Sequence, residues 1–536
     1  ARGQRTSTWV SAGGCRQPRG DGAVGMLGLA GLGIAGGALS LRPAECAREP
    51  EPAETSVQMS NWSGTHSITT KRLYAPETQG QLQEIIAWAR GAGQKVRPVG
   101  TGLSPNGLAL QQDGMLSMAQ LDGIIEVDVK AQTITVEAGA RVSQILEELQ
   151  KHGLTLANFS SITEQQIGGW TQVSAHGTGA RIPTVDEMIT HMTLVTPGRG
   201  TLELSPEGDN AWLFPWARVG LGSLGIVSKV TLKCIPKYTL HERTYCSTVE
   251  EVRKNHAELL RTYRHVRYMW IPYTDTVVVV VSDVAQPSAK PKEALPEKER
   301  VGPLKKLLQE LNPKCGNLEG DNFAQLREKL LVLDPLNPDH VARVNRAEAE
   351  FWKLSSGERV ADSTQILGFE CGGSQWVLEN CFPCGTIQNP SMTDIDYVVE
   401  MKRIIEHERI AAPSPIEQRW TSRSTSFMSP AHSLNCDDIF SWVGVIMYIT
   451  DEANEMAIRD KFRDYAMQHA DLTFKHRGVF HWSKIDLNFH VGQERLAELR
   501  RNIKQRFDVA GFLKVRKSLD PKNVLGNTLT DKVFET

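Results

Sequence analysis

Glycine is concentrated at three places in the first half of the chain, each beside a short apolar run. In Arg97-Pro98-Val99-Gly100-Thr101-Gly102-Leu103-Ser104-Pro105-Asn106-Gly107, three glycines fall within a turn that follows a strand-like stretch. Glycine tolerates positive φ and close backbone approach, so successive N–H groups in such a turn can converge on phosphate oxygens. A tight surface turn without a ligand also fits these residues. A second pair of loops, Gln165-Gln166-Ile167-Gly168-Gly169 and Ser174-Ala175-His176-Gly177-Thr178-Gly179-Ala180, favours the ligand, because two such clusters lie in one domain. His176 could titrate near neutrality there, but among small residues the simpler role is a hydrogen bond to its loop. The third cluster, Gly220-Leu221-Gly222-Ser223-Leu224-Gly225, matches GxGxxG spacing. That dinucleotide fingerprint needs a helix after it, whereas Ile226-Val227-Ser228-Lys229-Val230-Thr231-Leu232 alternates like a strand, so a Rossmann site is rejected.

In the second half, Glu417 and Arg419 stand two apart in Pro415-Ile416-Glu417-Gln418-Arg419-Trp420. On a strand that spacing puts both side chains on one face. A carboxylate can orient or deprotonate a substrate hydroxyl, and a fixed guanidinium can stabilise developing negative charge. Taken without further context, the pair also fits a surface ion pair, and Lys484 in His481-Trp482-Ser483-Lys484 fits a solvated lysine. Cys381 and Cys384 form a lone CxxC with no second pair at zinc spacing, which favours buried or idle thiols over a redox or metal motif.

These residues need elements to position them. From residue 67 helical periodicity alternates with short β-branched runs: helix at 79–91 and 142–152, strand at 95–99, 124–127, 133–136 and 226–232. The texture then changes. A buried strand is expected at 277–281, a charged, Pro-rich stretch at 287–303 resembles a surface insertion, helices follow at 323–333 and 341–351, and a strand at 440–449. A chain of 536 residues exceeds one hydrophobic core, so two or more domains are expected. A formal charge of −2 with 23% charged residues gives no sign of disorder or of nucleic-acid binding. Nine scattered cysteines do not make a disulfide framework.

The N-terminal part reads as an address. Residues 1–20 carry Arg2, Arg5, Arg16 and Arg19 without an acidic residue, which suits a matrix-directed segment. Residues 23–41 are uncharged and just long enough to span a bilayer, though rich in glycine. A Pro- and Glu-rich linker follows at 42–58. If the segment spans, the body lies across the membrane from the arginines; a transit-peptide remnant is the alternative.

The order GTGLSPNG, QQIGG, SAHGTGAR, GLGSLGIVSKVTL resembles the FAD-binding domain of vanillyl-alcohol-oxidase-type flavoproteins. PIEQRW, FSWVG, HWSK and LDPKNVLGN resemble the aldonolactone oxidoreductases, and IPYTDTVVVV, CGGSQWV and EAEFWK are close to the plant galactonolactone dehydrogenases. The similarity covers roughly residues 61–534. It implies a two-domain α+β fold: leader and linker at 1–60, an FAD-binding domain at 61–240, a substrate (cap) domain on an antiparallel sheet at 241–470 with a surface insertion about 285–320, and a C-terminal segment at 471–536 completing the active site. It implies FAD held by Val99, Gly100, Thr101, Gly102, Leu103 and Ser104, with Gly168, Gly169, Ser174, His176 and Gly179 lining the flavin and Ile226 near the adenine. His481 is placed with the cofactor, Lys484 at the flavin edge, and Glu417 and Arg419 against the lactone. No metal is expected. Related oxidases carry a flavin-linked histidine where Leu103 stands, so non-covalent FAD is expected. Ser160 occupies a small position that governs oxygen access in the family; the plant dehydrogenases have alanine there and related oxidases glycine. The implied activity is oxidation of L-galactono-1,4-lactone to ascorbate with cytochrome c as acceptor, at the mitochondrial inner membrane facing the intermembrane space. An oxygen-using oxidase and an assembly role beside respiratory complex I are the alternatives.

Overall fold

The computed structural model describes residues 48–368, 373–450 and 453–535. Helix Gln79–Ala92 shows how the first domain is built. Leu82, Ile85, Ile86 and Ala89 recur at helical spacing and are buried, the Thr78 side chain accepts from the Gln81 N–H at its start, and Gly93 ends it at φ 65°. Two sheets accompany it. One has four strands in the order Glu54–Ser60, Ser67–Tyr74, Met115–Ser117, Arg97–Val99. The other has five antiparallel strands in the order Ile124–Asp128, Thr133–Glu137, Ile226–Lys233, Ile189–Thr196, Gly200–Leu204. The run after GxGxxG is thus a strand, as its alternation requires.

The second domain rests on one eight-stranded antiparallel sheet. Its order is Gly357–Asp362, Thr239–Thr248, Thr276–Val284, His265–Trp270, Ile416–Ser422, Asp438–Tyr448, Gln375–Thr386, Val479–Phe480. The two-domain α+β architecture expected from sequence is present, and the helices and strands named there end within three residues of the observed ones.

Three expected boundaries move. Glu54–Ser60, placed in the linker, is a strand paired with Ser67–Tyr74, and its Val57 and Met59 pack with Leu73, Val99 and Met115. The first domain therefore begins before residue 61. The insertion is exposed coil only to Pro296; from Glu297 onward it is helical, and Val301, Leu304, Leu308, Leu318, Leu326, Leu330 and Val344 form a separate small core. The expected division at 470/471 cuts helix Glu455–Lys475. No helix among the described residues is long and apolar enough to cross a membrane, and the segment expected at 23–41 lies outside them.

The domains are joined through backbone contacts. Gly179 N–H donates to Trp420 O at 2.7 Å and Ser422 N–H to Ile182 O at 3.0 Å. Gly177 lets the same loop lie close against its own domain: a Cβ there would lie 2.1 Å from Asn158 Oδ1 and 2.4 Å from Phe159 O. The C-terminal segment also binds the first domain, with Val96 N–H donating to Val524 O at 2.9 Å and Asn106 Nδ2 to Trp482 O and Ile485 O at 2.9 and 2.8 Å.

Three buried histidines set the acid limit of this fold. Burial pushes His469 down to about 3 and His265 and His490 down to about 4. Unfolded, each protonates near 6.5, so below that pH the unfolded state binds more protons and folding stability declines by about 1.4 kcal/mol per pH unit per histidine until the folded values are reached. Scanning calorimetry should show Tm falling steeply from pH 6.5 to pH 4.5. A Tm that is flat across this window contradicts the assignment of neutral buried imidazoles.

Candidate active site

A cavity of about 630 Å³ runs between the two domains. Its floor is one face of the eight-stranded sheet, where pleating sends alternate residues to the same side. Arg267 and Met269, Glu417 and Arg419, Gly444, Ile446 and Tyr448, and Gln375, Val377 and Glu379 all line it. Register sets their neighbours: Arg267 pairs with Arg419, Glu417 with Gly444, and Gly444 with Glu379. Gly444 leaves the floor open between two carboxylate-bearing strands. Glu417 and Arg419 do share a face, and that face is the cavity rather than the outer surface.

At the centre is Glu379, 3% exposed. Its Oε2 accepts from Lys484 Nζ at 2.6 Å and its Oε1 from Arg419 Nη2 at 2.8 Å, and His176 Nε2 lies 3.4 Å from Oε1. Burial alone would raise this carboxyl, but Lys484, His176 and Arg419 override it and hold it well below the usual range. Glu417 is less enclosed, with Arg419 Nε at 3.5 Å and Arg267 Nη1 at 3.7 Å. Three cations, Arg267, Arg419 and Lys484, thus face two carboxylates, and the field in this part of the cavity is positive.

The imidazoles are held with equal care. His176 stacks on Trp442, centroids 3.8 Å apart and planes at 20°, with Nδ1 3.0 Å from Gly177 O. His481 Nδ1 accepts from the Ser483 N–H at 3.2 Å, so the tautomer carries its proton on Nε2. Burial, reinforced at His481 by Lys484, depresses both rings. His176, Glu379 and His481 bring three potential metal ligands within 4.8 Å of one another. A metal ion there would face Lys484 and Arg419 already bound to the same carboxylate, an arrangement that opposes a further cation.

The other end of the cavity is built from the glycine loops. Val99, Gly100, Thr101, Gly102, Leu103, Ser104, Gly168, Gly169 and Ile226 line it, as do Ser160, His176 and His481. None of the backbone N–H groups from Gly100 to Ser104 donates to an acceptor among the described residues. Gln166 Oε1, buried beside Gly100, has no hydrogen-bond partner among the described residues. Five successive amide donors on a loop facing a cavity are suited to a pyrophosphate. Two expected cofactor residues do not line the cavity. The Ser174 hydroxyl is bonded to Asp186 and Ser429, and Gly179 forms the domain joint with Trp420 and Thr421.

Glu379 and Trp442 were not singled out from sequence, and neither was Arg97 as a site residue. The sign for Glu379 was a lone carboxylate, beside Asn380, in the apolar run Trp376-Val377-Leu378-Glu379-Asn380-Cys381-Phe382. Arg97, 2% exposed, donates to Leu108 O, Gly222 O, Leu221 O and Leu525 O, and burial lowers its guanidinium to about 9. It ties the first glycine loop, the GxGxxG turn and the C-terminal segment together. Cys381 and Cys384 are buried free thiols pushed up by that burial, which makes them packing residues.

Comparison with known proteins matches this geometry. Residues 70–205 match an FAD-binding-domain family and residues 230–533 the D-arabinono-1,4-lactone oxidase family. The chain belongs to the aldonolactone oxidoreductase family. It is 47% identical over 505 residues to the mitochondrial L-galactono-1,4-lactone dehydrogenase of Brassica oleracea, covering 90% of this chain and 83% of that protein. It is 46% identical to L-galactono-1,4-lactone dehydrogenase 1 of Oryza sativa subsp. japonica, covering 89% and 83%, and 26% identical to the L-gulonolactone oxidase of Mus musculus, covering 89% and 98%. Among solved structures, cholesterol oxidase from B. sterolicum superposes with TM-score 0.70 at 16% identity over 91% of this chain and 100% of that one, which shows the shared fold. The first domain of this aldonolactone oxidoreductase is an FAD-binding domain, and its glycine loops line one end of the cavity.

Replacing Glu379 with Gln should separate charge from shape. It leaves Lys484 and Arg419 buried without their shared carboxylate, a loss that costs about 3–5 kcal/mol when one partner of a buried pair is removed. Flavin content and far-UV spectrum should persist while kcat falls about 100-fold or more. A variant with unchanged kcat removes Glu379 from the machinery.

Proposed function

We propose that this chain oxidises L-galactono-1,4-lactone to the ene-diol lactone, ascorbate, at a non-covalently held FAD, and passes the electrons to cytochrome c. The observation that carries the substrate half is Glu417 and Arg419 on the floor of a cavity whose field Arg419, Lys484 and Arg267 make positive. The flavin, when bound, supplies two-electron oxidation. The chain's residues handle the proton and the charge. Glu417 accepts the proton of the ring hydroxyl that becomes the new carbonyl, and the keto lactone then tautomerises to the ene-diol. Arg419 and Lys484 offset the negative charge that builds on the lactone oxygens, and Glu379 acts through them by fixing where their N–H groups point. The Trp442–His176 stack walls the cluster from water on the sheet side.

Leu103 supports non-covalent binding, since its side chain at the cavity wall has no nucleophilic atom. Ser160 supports the dehydrogenase over the oxidase. Its hydroxyl accepts from Trp170 Nε1 at 3.1 Å and donates to Gln165, so the side chain is pinned in the cavity wall at the position related oxidases leave as glycine. The Arg-rich leader and the mitochondrial relatives support placement at the mitochondrial inner membrane with the body in the intermembrane space, where cytochrome c is at hand. Assembly beside respiratory complex I is the competing role; co-migration with the complex after mild detergent extraction supports it, and a free monomer counts against it.

Anaerobic titration of the purified protein with L-galactono-1,4-lactone should bleach the flavin, with colour restored fast by ferricytochrome c and slowly by air. Acid precipitation should release all of the flavin into the supernatant. Flavin retained in the pellet refutes the non-covalent assignment, fast recovery in air refutes the dehydrogenase, and absence of bleaching refutes the substrate. Arg419→Lys should lower kcat about 100-fold or more, because an ammonium cannot reach Glu379 and Glu417 together in the guanidinium's geometry.

A further inference from the structure

The cavity does not end at the charged cluster. Pro415, just ahead of the strand that carries Glu417, also lines the cavity, as does Glu348 from helix Pro338–Leu354. That helix follows the expected insertion at 285–320 and packs with it in the separate small core. Glu348 is 2% exposed. Its Oε1 accepts from Ser414 Oγ at 3.1 Å and Trp352 Nε1 at 3.3 Å, while Oε2 has no partner among the described residues. Oε2 is also absent from the fully enclosed, unpaired polar atoms, so the cavity is the space left for it to face. Burial raises this carboxyl, countered by Arg327. Arg327 in turn lies over the Tyr448 ring at 4.5 Å, and Tyr448 and Trp352 are aromatic walls of the same compartment.

A buried carboxylate with one free oxygen, next to an indole, is the chemistry that recognises vicinal hydroxyls: the oxygen accepts O–H donors and the ring covers C–H faces. Ser414, which holds Glu348, stands three residues before Glu417, a separation of no more than about 10 Å along the chain. A five-membered lactone ring with a two-carbon side chain fits that interval, with the ring at Glu417 and Arg419 and the side chain toward Glu348. As a purely structural staple between helix and strand, Glu348 would need only Oε1, and Asn345 one turn earlier already does that work through Pro272 O, Ala412 O and the Ser414 N–H.

We infer that Glu348 is a specificity-determining residue that binds the exocyclic hydroxyls of the aldonolactone and selects a two-carbon side chain over a shorter one. This rests on the lactone-oxidising function proposed above. Helix Pro338–Leu354 therefore takes part in substrate choice, although it lies far in sequence from the residues that meet the ring.

The experiment compares L-galactono-1,4-lactone with D-arabinono-1,4-lactone, which has the same ring configuration and lacks the terminal carbon. The holoenzyme and its Glu348→Gln and Glu348→Asp variants are assayed on both. Gln keeps Oε1 as acceptor for Ser414 and Trp352, so folding is expected to survive, and the ratio of two substrates within one variant is independent of the folded fraction. In Glu348→Gln, kcat/KM for the galactonolactone should fall about 10-fold or more, mostly through KM, with a loss at least threefold smaller for the arabinonolactone. The rise in Tm that the galactonolactone gives the oxidised holoenzyme in the absence of an electron acceptor should shrink in step. Equal losses on both lactones, or no loss on either, overturn the inference while leaving the function intact. A wild-type enzyme inactive on both lactones overturns the function and this inference with it.

Discussion

A carboxylate buried to 3% exposure survives in a protein only if its charge is met, and Glu379 is met from three directions at once. Lys484 comes from the short turn Trp482–Lys484, Arg419 from strand Ile416–Ser422, and His176 from the loop of the other domain. Each is held by its own surroundings: Lys484 follows His481 in a 3₁₀ turn that Asn106 anchors to the first glycine loop, Arg419 also faces Glu417, and His176 lies on Trp442. Removing the carboxylate frees both cations, and removing either cation leaves a buried anion short of partners. The cluster therefore acts as one unit that couples domain docking to the chemistry of the cavity.

Arg97 performs the matching task at the cofactor's end. Its guanidinium is saturated by backbone carbonyls from three separated segments, two of them in glycine-bearing turns. This is a costly group to bury, lowered to about 9, and it is retained because no neutral side chain offers five donors in a rigid fork. With the loop fixed from below by Arg97, the amides from Gly100 to Ser104 are left facing the cavity. At this end carbonyls and an arginine build the platform, and the loop whose N–H groups are unclaimed among the described residues lines the cavity.

Much of this was legible in local pattern. The strand after GxGxxG was predictable from alternation, and Glu417 and Arg419 on one face followed from a period of two, because pleating depends on neither neighbour nor register. The linker strand Glu54–Ser60 was not legible, because its polar sequence gains its pairing only from Ser67–Tyr74. Ser174 and Gly179 looked like cofactor residues by their company, yet one is spent on Asp186 and the other on Trp420, contacts that span 12 and 241 residues respectively.

The sequence alone determined the chemical vocabulary: glycine turns, the Glu–Arg pair, a leucine where a linked histidine would stand, and the period of each strand and helix. These are local properties, set by side-chain type and backbone sterics within a few residues. Tertiary structure alone decided which charges meet. Glu379 reaches Lys484 across 105 residues and Arg419 across 40, and Glu348 reaches Ser414 across 66. Those meetings depend on strand register and on how two domains and an inserted helical core close over one cavity, and no local periodicity encodes the energy of a desolvated charge finding its partner.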